Sequence, residues 1–172
     1  FFSAHIPDDQ WDGFTVEEKL RRVFGWDRVR HQVIIPLLEG QPARWRAFDF
    51  ESGLRADGTY GMQSDVIQRE PAGVILIEGA YSAGPELADL VDLTILVDVA
   101  IERRHARLEA REDEDFLETW HRRWDPVEHH YFNHVRPRGS FDLVVRPQWV
   151  VIRPFHGGPD IAKARKGVDH GR

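Results

Sequence analysis

Three short apolar runs constrain this chain more than any other feature. They are Val74–Ile77, Leu93–Val97 and Phe141–Val145, with helix-length segments between them. Apolar runs this short are the pattern of parallel strands buried on both faces, so the expected class is α/β. In such sheets ligands gather beyond the carboxyl ends of the strands. Glu78-Gly79 follows the first run and Asp98 ends the second, which makes both acids candidates for a site.

The flanking segments read as helices, turns and one hairpin. Phe1 to Gly13 reads as a loop. Thr15 and Glu18 form a capping box ahead of a helix over Val16 to Val23, and Gly25 ends it. Trp26, Val29, Val33 and Leu37 have helical spacing over Trp26 to Leu38, with Pro36 near a bend and Gly40 closing the segment. Ala43 to Phe50 reads as a strand leading into turns at Gly53, Asp57 and Gly58. Ala100 to Glu112 and Asp115 to His134 read as two further helices. A last strand is expected at Trp149 to Arg153, within a basic, mobile tail.

Composition removes several classes of function. The chain has 172 residues, 41% of them hydrophobic, enough for a folded core. Its 29 acids outnumber its 23 bases for a net charge of −6, so no global cationic field invites nucleic acid or anionic lipid. No apolar run approaches the roughly 20 residues that span a bilayer, and the first residues carry no basic region followed by an apolar one, so the chain is expected to be soluble and unexported. The absence of cysteine removes disulfides and thiolate chemistry and suits a reducing cytoplasm.

Four groups of residues carry candidate chemistry. Arg104, Arg107 and Arg111 fall at i, i+3 and i+7, on one face of the helix that leaves Asp98. Forked donors standing over a ligand crevice suit phosphate oxygens and the charge of a transferring phosphoryl group. The plain alternative is a solvated face paired with Glu102, Glu109 and Glu112. Glu78, at the end of a buried strand, is placed for a divalent metal beside a phosphate chain, or else for a helix cap or ion pair. Tyr81 stands just beyond, to stack on a ligand or to lid the core. Phe48, Asp49 and Arg55 lie in an aromatic and charged stretch suited to a sugar hydroxyl and a stacked ring, or to an ordinary half-buried strand. His130 and His134, at i, i+4, offer a zinc pair without a third ligand, and packing among aromatics is the better reading. A G-x-x-x-x-G-K-[ST] phosphate loop is missing from the sequence.

The order of these residues resembles the uridine kinase-like family of P-loop phosphotransferases. The resemblance rests on Trp11-Asp12-Gly13, Trp26-Asp27-Arg28, Pro42-Ala43-Arg44-Trp45, Phe48-Asp49-Phe50, Ile75 to Gly79, and Val97-Asp98 leading into Arg104, Arg107 and Arg111. It runs from Phe1 to about Val145. It implies a three-layer parallel sheet with helices on both faces, lacking the N-terminal strand, P-loop and helix, which together with the catalytic base would lie upstream of Phe1. Residues 1–146 would be one kinase-like domain with a helical lid over about 100–134, and 147–172 a C-terminal strand and tail.

The activity implied is transfer of the γ-phosphoryl of ATP, with Mg²⁺, to a hydroxyl of a nucleoside or other small molecule. Glu78 would sit near the metal, and Arg104, Arg107 and Arg111 would close over the phosphates. Phe48, Asp49, Arg55, Tyr81 and Asp27 would serve the substrate side. The family's nucleoside kinases carry tyrosine and histidine where Phe48 and Gly53 stand here, which argues against uridine or cytidine as the acceptor. A catalytically incomplete pseudokinase that binds nucleotide or a partner is the alternative. No nucleic acid or membrane partner is expected, and a homodimer is left open.

Overall fold

A computed structural model describes residues 1–147 of the chain. The opening segment is more ordered than a loop, with a 3-10 turn at Asp8–Gly13 that buries Trp11. Helix α1 (Val16–Arg22) starts at the expected capping box. Glu18 N donates to Thr15 Oγ1 at 3.2 Å and Thr15 N donates to the Glu18 carboxylate at 3.0 Å, which satisfies two amides the helix leaves orphaned.

The segment expected as one helix over Trp26 to Leu38 is continuous but changes gauge. Helix α2 (Trp26–Val29) passes into a π-helical turn at Arg30–Ile34 and then into helix α3 (Ile35–Leu38). Pro36 accounts for the widening, because it has no N–H to return to Gln32 and its ring would crowd the Gln32 carbonyl of a regular α-helix. Gly40, at φ 74°, then turns the chain into strand β1 (Ala43–Asp49).

Strand β1 pairs antiparallel with β2 (Gly61–Arg69), with the register slipping between Arg46 and Phe48. The slip swings Phe48 inward, where it is 8% exposed. Its ring lies 5.7 Å from that of Phe2, 4.6 Å from Phe50 and 4.9 Å from Tyr60.

The second sheet is parallel. Strand β3 (Ile95–Val97) pairs with β4 (Leu143–Val145), Leu96 opposite Val144. The crossover between them holds helices α4 (Ile101–Glu109) and α5 (Glu114–His130), the latter running on into a π-helical turn at Tyr131–Val135. Asp113 caps α5 by accepting from Phe116 N at 2.9 Å. The molecule is therefore mixed α/β, with two sheets of two strands each among the described residues.

That sheet is narrower than the sequence led us to expect. Val74–Ile77 joins neither sheet, and Val74 and Leu76 are 84% and 85% exposed. Val97 is 61% exposed, and all three residues of β4 are exposed as well. Burial on both faces needs a layer packed over each face, and the exposure of Ile95, Val97 and all of β4 shows that these strands lack one among the described residues. Only Ile77 of the first run packs inward, against the cluster of Val29, Ile34 and Leu87.

The core lies instead between the first helices and α5. One cluster centres on Ile6, Trp11 and Val23, and another on Leu20, Val127 and Tyr131. Tyr81 and Trp124 pack against both, which joins the two into one interior. Among the described residues no helix is long and apolar enough to cross a membrane. The strand expected at Trp149 to Arg153, and the tail around it, fall outside the described residues.

Candidate phosphate-facing rim

The chain turns sharply where the Val74–Ile77 run ends. Gly79 sits at φ 153° and Tyr81 at φ 62°, the only non-glycine residue with positive φ among those described. A bulky side chain in this region costs about 1 kcal/mol or more, so something must hold it there. Tyr81 O accepts from Gly84 N at 2.9 Å, and the Tyr81 ring lies 5.0 Å from that of Tyr131 and 6.4 Å from that of Phe24. The strained residue is thus clamped between two packed clusters.

Burial pushes the Tyr81 phenol well above its ordinary range, and Glu128, Tyr131 and Asp125 push the same way while Arg104 opposes them. Arg104 of α4, together with Asp125 and Glu128 of α5, therefore stands within electrostatic reach of the turn that follows Glu78. Glu78 itself is exposed and, among the described residues, forms no ion pair. With Trp26, Ile34, Val74 and Gly79 it lines a cleft of about 450 Å³.

The arginine row divides in two. Arg104 donates from Nε to Val99 O at 3.2 Å and forms an ion pair with Glu128. The side chains of Arg107 and Arg111 make no hydrogen bond or ion pair among the described residues. The pairing with Glu102, Glu109 and Glu112 does not form among the described residues, and Arg111 is exposed as a solvated face would have it. Among those residues two guanidinium groups are open and one is held.

Asp98, the other acid at a strand end, is only 14% exposed on its side chain and is fully engaged. Arg146 Nε donates to it at 3.1 Å and Arg138 donates to its other oxygen. The Arg146 hydrogen bond, with Arg138 beside it, holds the carboxyl below the usual range. Asp98 ties β3 to the segment around β4 and leaves Glu78 as the free acid.

The residues expected on the acceptor side do not gather at this rim. Phe48 is core. Asp49 Oδ1 accepts from Glu51 N at 3.1 Å and Ser52 N at 3.2 Å, which caps the hairpin turn and leaves Oδ2 without a protein partner among the described residues. Arg55 is exposed in the same turn, its N donating to Thr59 O at 2.8 Å. Asp27 is exposed on the first turn of α2. Phe48, Asp49 and Arg55 thus share the β1–β2 hairpin, whereas Glu78, Tyr81 and Arg104 form the other group.

Sequence reasoning missed a basic cleft of about 690 Å³ lined by His5, Arg28, Gln32, Arg44, Arg46 and Met62. The signal was present, since Arg44 and Arg46 are two apart on a strand and so share one face. Arg28 bridges to this strand by donating from Nη2 to Arg46 O at 2.8 Å.

The histidine pair suggested as a zinc site does not assemble one. His130 and His134 have ring centroids 5.1 Å apart, and the nearest acid to His130 is Glu17, 3.8 Å from Nδ1. Neither a protein-family model nor a curated protein sequence matches the chain.

Proposed function

We propose that this chain is an ATP-dependent phosphotransferase of the uridine kinase-like type, moving a γ-phosphoryl group to a hydroxyl of a nucleoside or other small molecule. The fold behind this reading is a three-layer P-loop sheet, of which β3 and β4 would be two strands. The observation that carries it is that, among the described residues, the Arg107 and Arg111 side chains are unpaired on the helix that leaves β3, alongside Arg104, which acts electrostatically on the turn after Glu78. Free guanidinium groups and a free carboxylate are the donor set that a magnesium triphosphate needs. Glu78 would hold Mg²⁺, and the metal would neutralise charge on the transferring group.

The chain's own residues have distinct tasks in this scheme. Arg107 and Arg111 neutralise the phosphate oxygens, and Arg104 joins them once it releases Glu128. Closure of α4 excludes water, which favours transfer over hydrolysis. Asp49 Oδ2 would accept from the acceptor hydroxyl at the hairpin, with Arg55 in the same turn to orient it and Asp27 apart on α2. The test is ADP release from ATP and Mg²⁺ with a panel of nucleosides, vitamins and sugars. A rise with one acceptor class supports the reading, and none with any of them removes it.

The bare faces of Val74, Leu76 and Val97 favour a second reading, a catalytically incomplete pseudokinase that binds nucleotide or a partner. Nucleotide binding without turnover in the same screen would select it.

A further inference from the structure

We infer that α4 and α5 together hold a first-row divalent metal ion, zinc foremost, between His105, His121 and Asp125. Among the described residues this is the one group of three potential ligands whose donor atoms all lie within 4.8 Å of one another. It is distinct from the candidate magnesium site at Glu78 and does not depend on the phosphotransferase reading.

Two of the ligands are one turn apart on a single helix. His121 and Asp125 stand at i, i+4 on α5, with His121 Nδ1 2.9 Å from Asp125 Oδ2. The third comes from the neighbouring helix, where His105 Nε2 lies 3.7 Å from the same oxygen. The two imidazoles are 4.4 Å apart between ring centroids. A tetrahedral zinc ion with bonds of about 2.0–2.1 Å keeps its ligand atoms about 3.3 Å apart, so side-chain rotation alone closes the site. His105, Asp125 and His121 are 34%, 35% and 30% exposed, so an ion can enter and a water can complete its shell.

The donor chemistry selects the metal. Two imidazoles and one carboxylate suit zinc and its first-row neighbours, whereas magnesium and calcium prefer oxygen alone. The ordinary alternative is an ion pair between protonated His121 and Asp125. That pair leaves His105, at 3.7 Å, beyond hydrogen-bond range, and protonating both rings would set two cations side by side. A metal uses the lone pairs of both rings at once. Arg104, next to His105, is already neutralised by Glu128, so it places no free cation against the ion.

The test is a titration of the full 172-residue chain with Zn²⁺ by calorimetry and with Co²⁺ by visible absorption. One equivalent is expected to bind, and Co²⁺ should take on the intense bands of a four-coordinate nitrogen and oxygen site. His121→Ala and Asp125→Asn should each weaken binding at least about tenfold, while His130→Ala and His134→Ala leave it unchanged. Should His121→Ala fail to fold, imidazole NMR of the unmutated chain decides, with Zn²⁺ shifting the His105 and His121 signals and sparing His134. Equal affinity in the His121 and Asp125 variants, loss of binding in the His130 variant, or no stoichiometric binding would overturn the assignment.

Discussion

Arg123 closes on Asp12 as a fork, Nε donating to Oδ1 at 2.9 Å and Nη2 to Oδ2 at 3.0 Å. Its remaining nitrogen, Nη1, donates to Asp8 at 3.0 Å. Arg123 is 9% exposed and ties the 3-10 turn near the amino terminus to α5, more than a hundred residues along the chain. Hydrogen bonding to Arg123 holds the Asp12 carboxyl below its usual range.

Removing that guanidinium leaves two carboxylates facing each other. Arg123→Ala is expected to destabilise the fold by about 2 kcal/mol, less than loss of a fully buried pair because Asp8 and Asp12 are 40% and 44% exposed. Arg123→Lys should recover little, since a point charge cannot reproduce the fork. Urea denaturation midpoints check both, and an unchanged midpoint in Arg123→Ala would contradict the role.

Acid should weaken the fold through the same kind of contact. Arg30 donates to both oxygens of Asp89, at 2.6 and 2.8 Å, and holds that carboxyl down from an ordinary 3.8 to about 2. A carboxyl depressed in the folded state stabilises when charged. The contribution is complete above about pH 4 and is lost as pH falls toward 2. Asp89→Asn should therefore flatten part of the acid limb of a stability profile, and a limb of unchanged steepness would argue against it.

Tyr131 predicts the opposite limb. Burial pushes its phenol from 10.0 up to about 12, so the neutral form favours folding and its benefit is lost as pH rises between those values. Its hydroxyl has no hydrogen-bond partner in the described structure. Tyr131→Phe should leave neutral-pH stability equal or higher, by up to about 1 kcal/mol, and should blunt the alkaline decline. Thermal melts across alkaline pH would show it, and a clear loss at neutral pH would mean that the hydroxyl is satisfied.

For the proposed phosphoryl transfer, Arg107 and Arg104 should behave differently. Arg107→Ala is expected to lower turnover about thirtyfold, or about 2 kcal/mol of transition-state stabilisation, without moving the melting temperature. Arg104→Ala should lower both, because Glu128 loses its partner. Equal turnover in Arg107→Ala would remove it from the phosphate-facing role.

Much of the local structure was legible because local rules govern it. Thr15 and Glu18 announce α1, and Gly40 announces the end of the second helical segment. What escaped was decided by distant partners. Nothing adjacent to Asp8 or Asp12 points to Arg123, and the convergence of His105 on His121 and Asp125 depends on how α4 lies against α5. The apolar run Val74–Ile77 reads as a buried strand by composition, yet burial needs a sheet to join and layers packed over its faces, and among the described residues the run joins no sheet and leaves Val74 and Leu76 exposed. At the rim, Glu78 and the arginine helix could be picked out by position. The strain at Tyr81 could not, because a tyrosine carries no sequence sign of positive φ.

The Tyr81 ring belongs to two interiors at once, touching Phe24 on one flank and Tyr131 on the other. The turn beyond Glu78 consequently has no soft direction, since a shift either way would open a gap beside Trp11 or beside Val127. Helix α4 contributes no buried residue and is held to α5 by polar contacts instead, Arg104 to Glu128 and His105 to Asp125. Any open-and-shut cycle at this rim divides into an anvil, Tyr81, and a hammer, the arginine helix that swings against it.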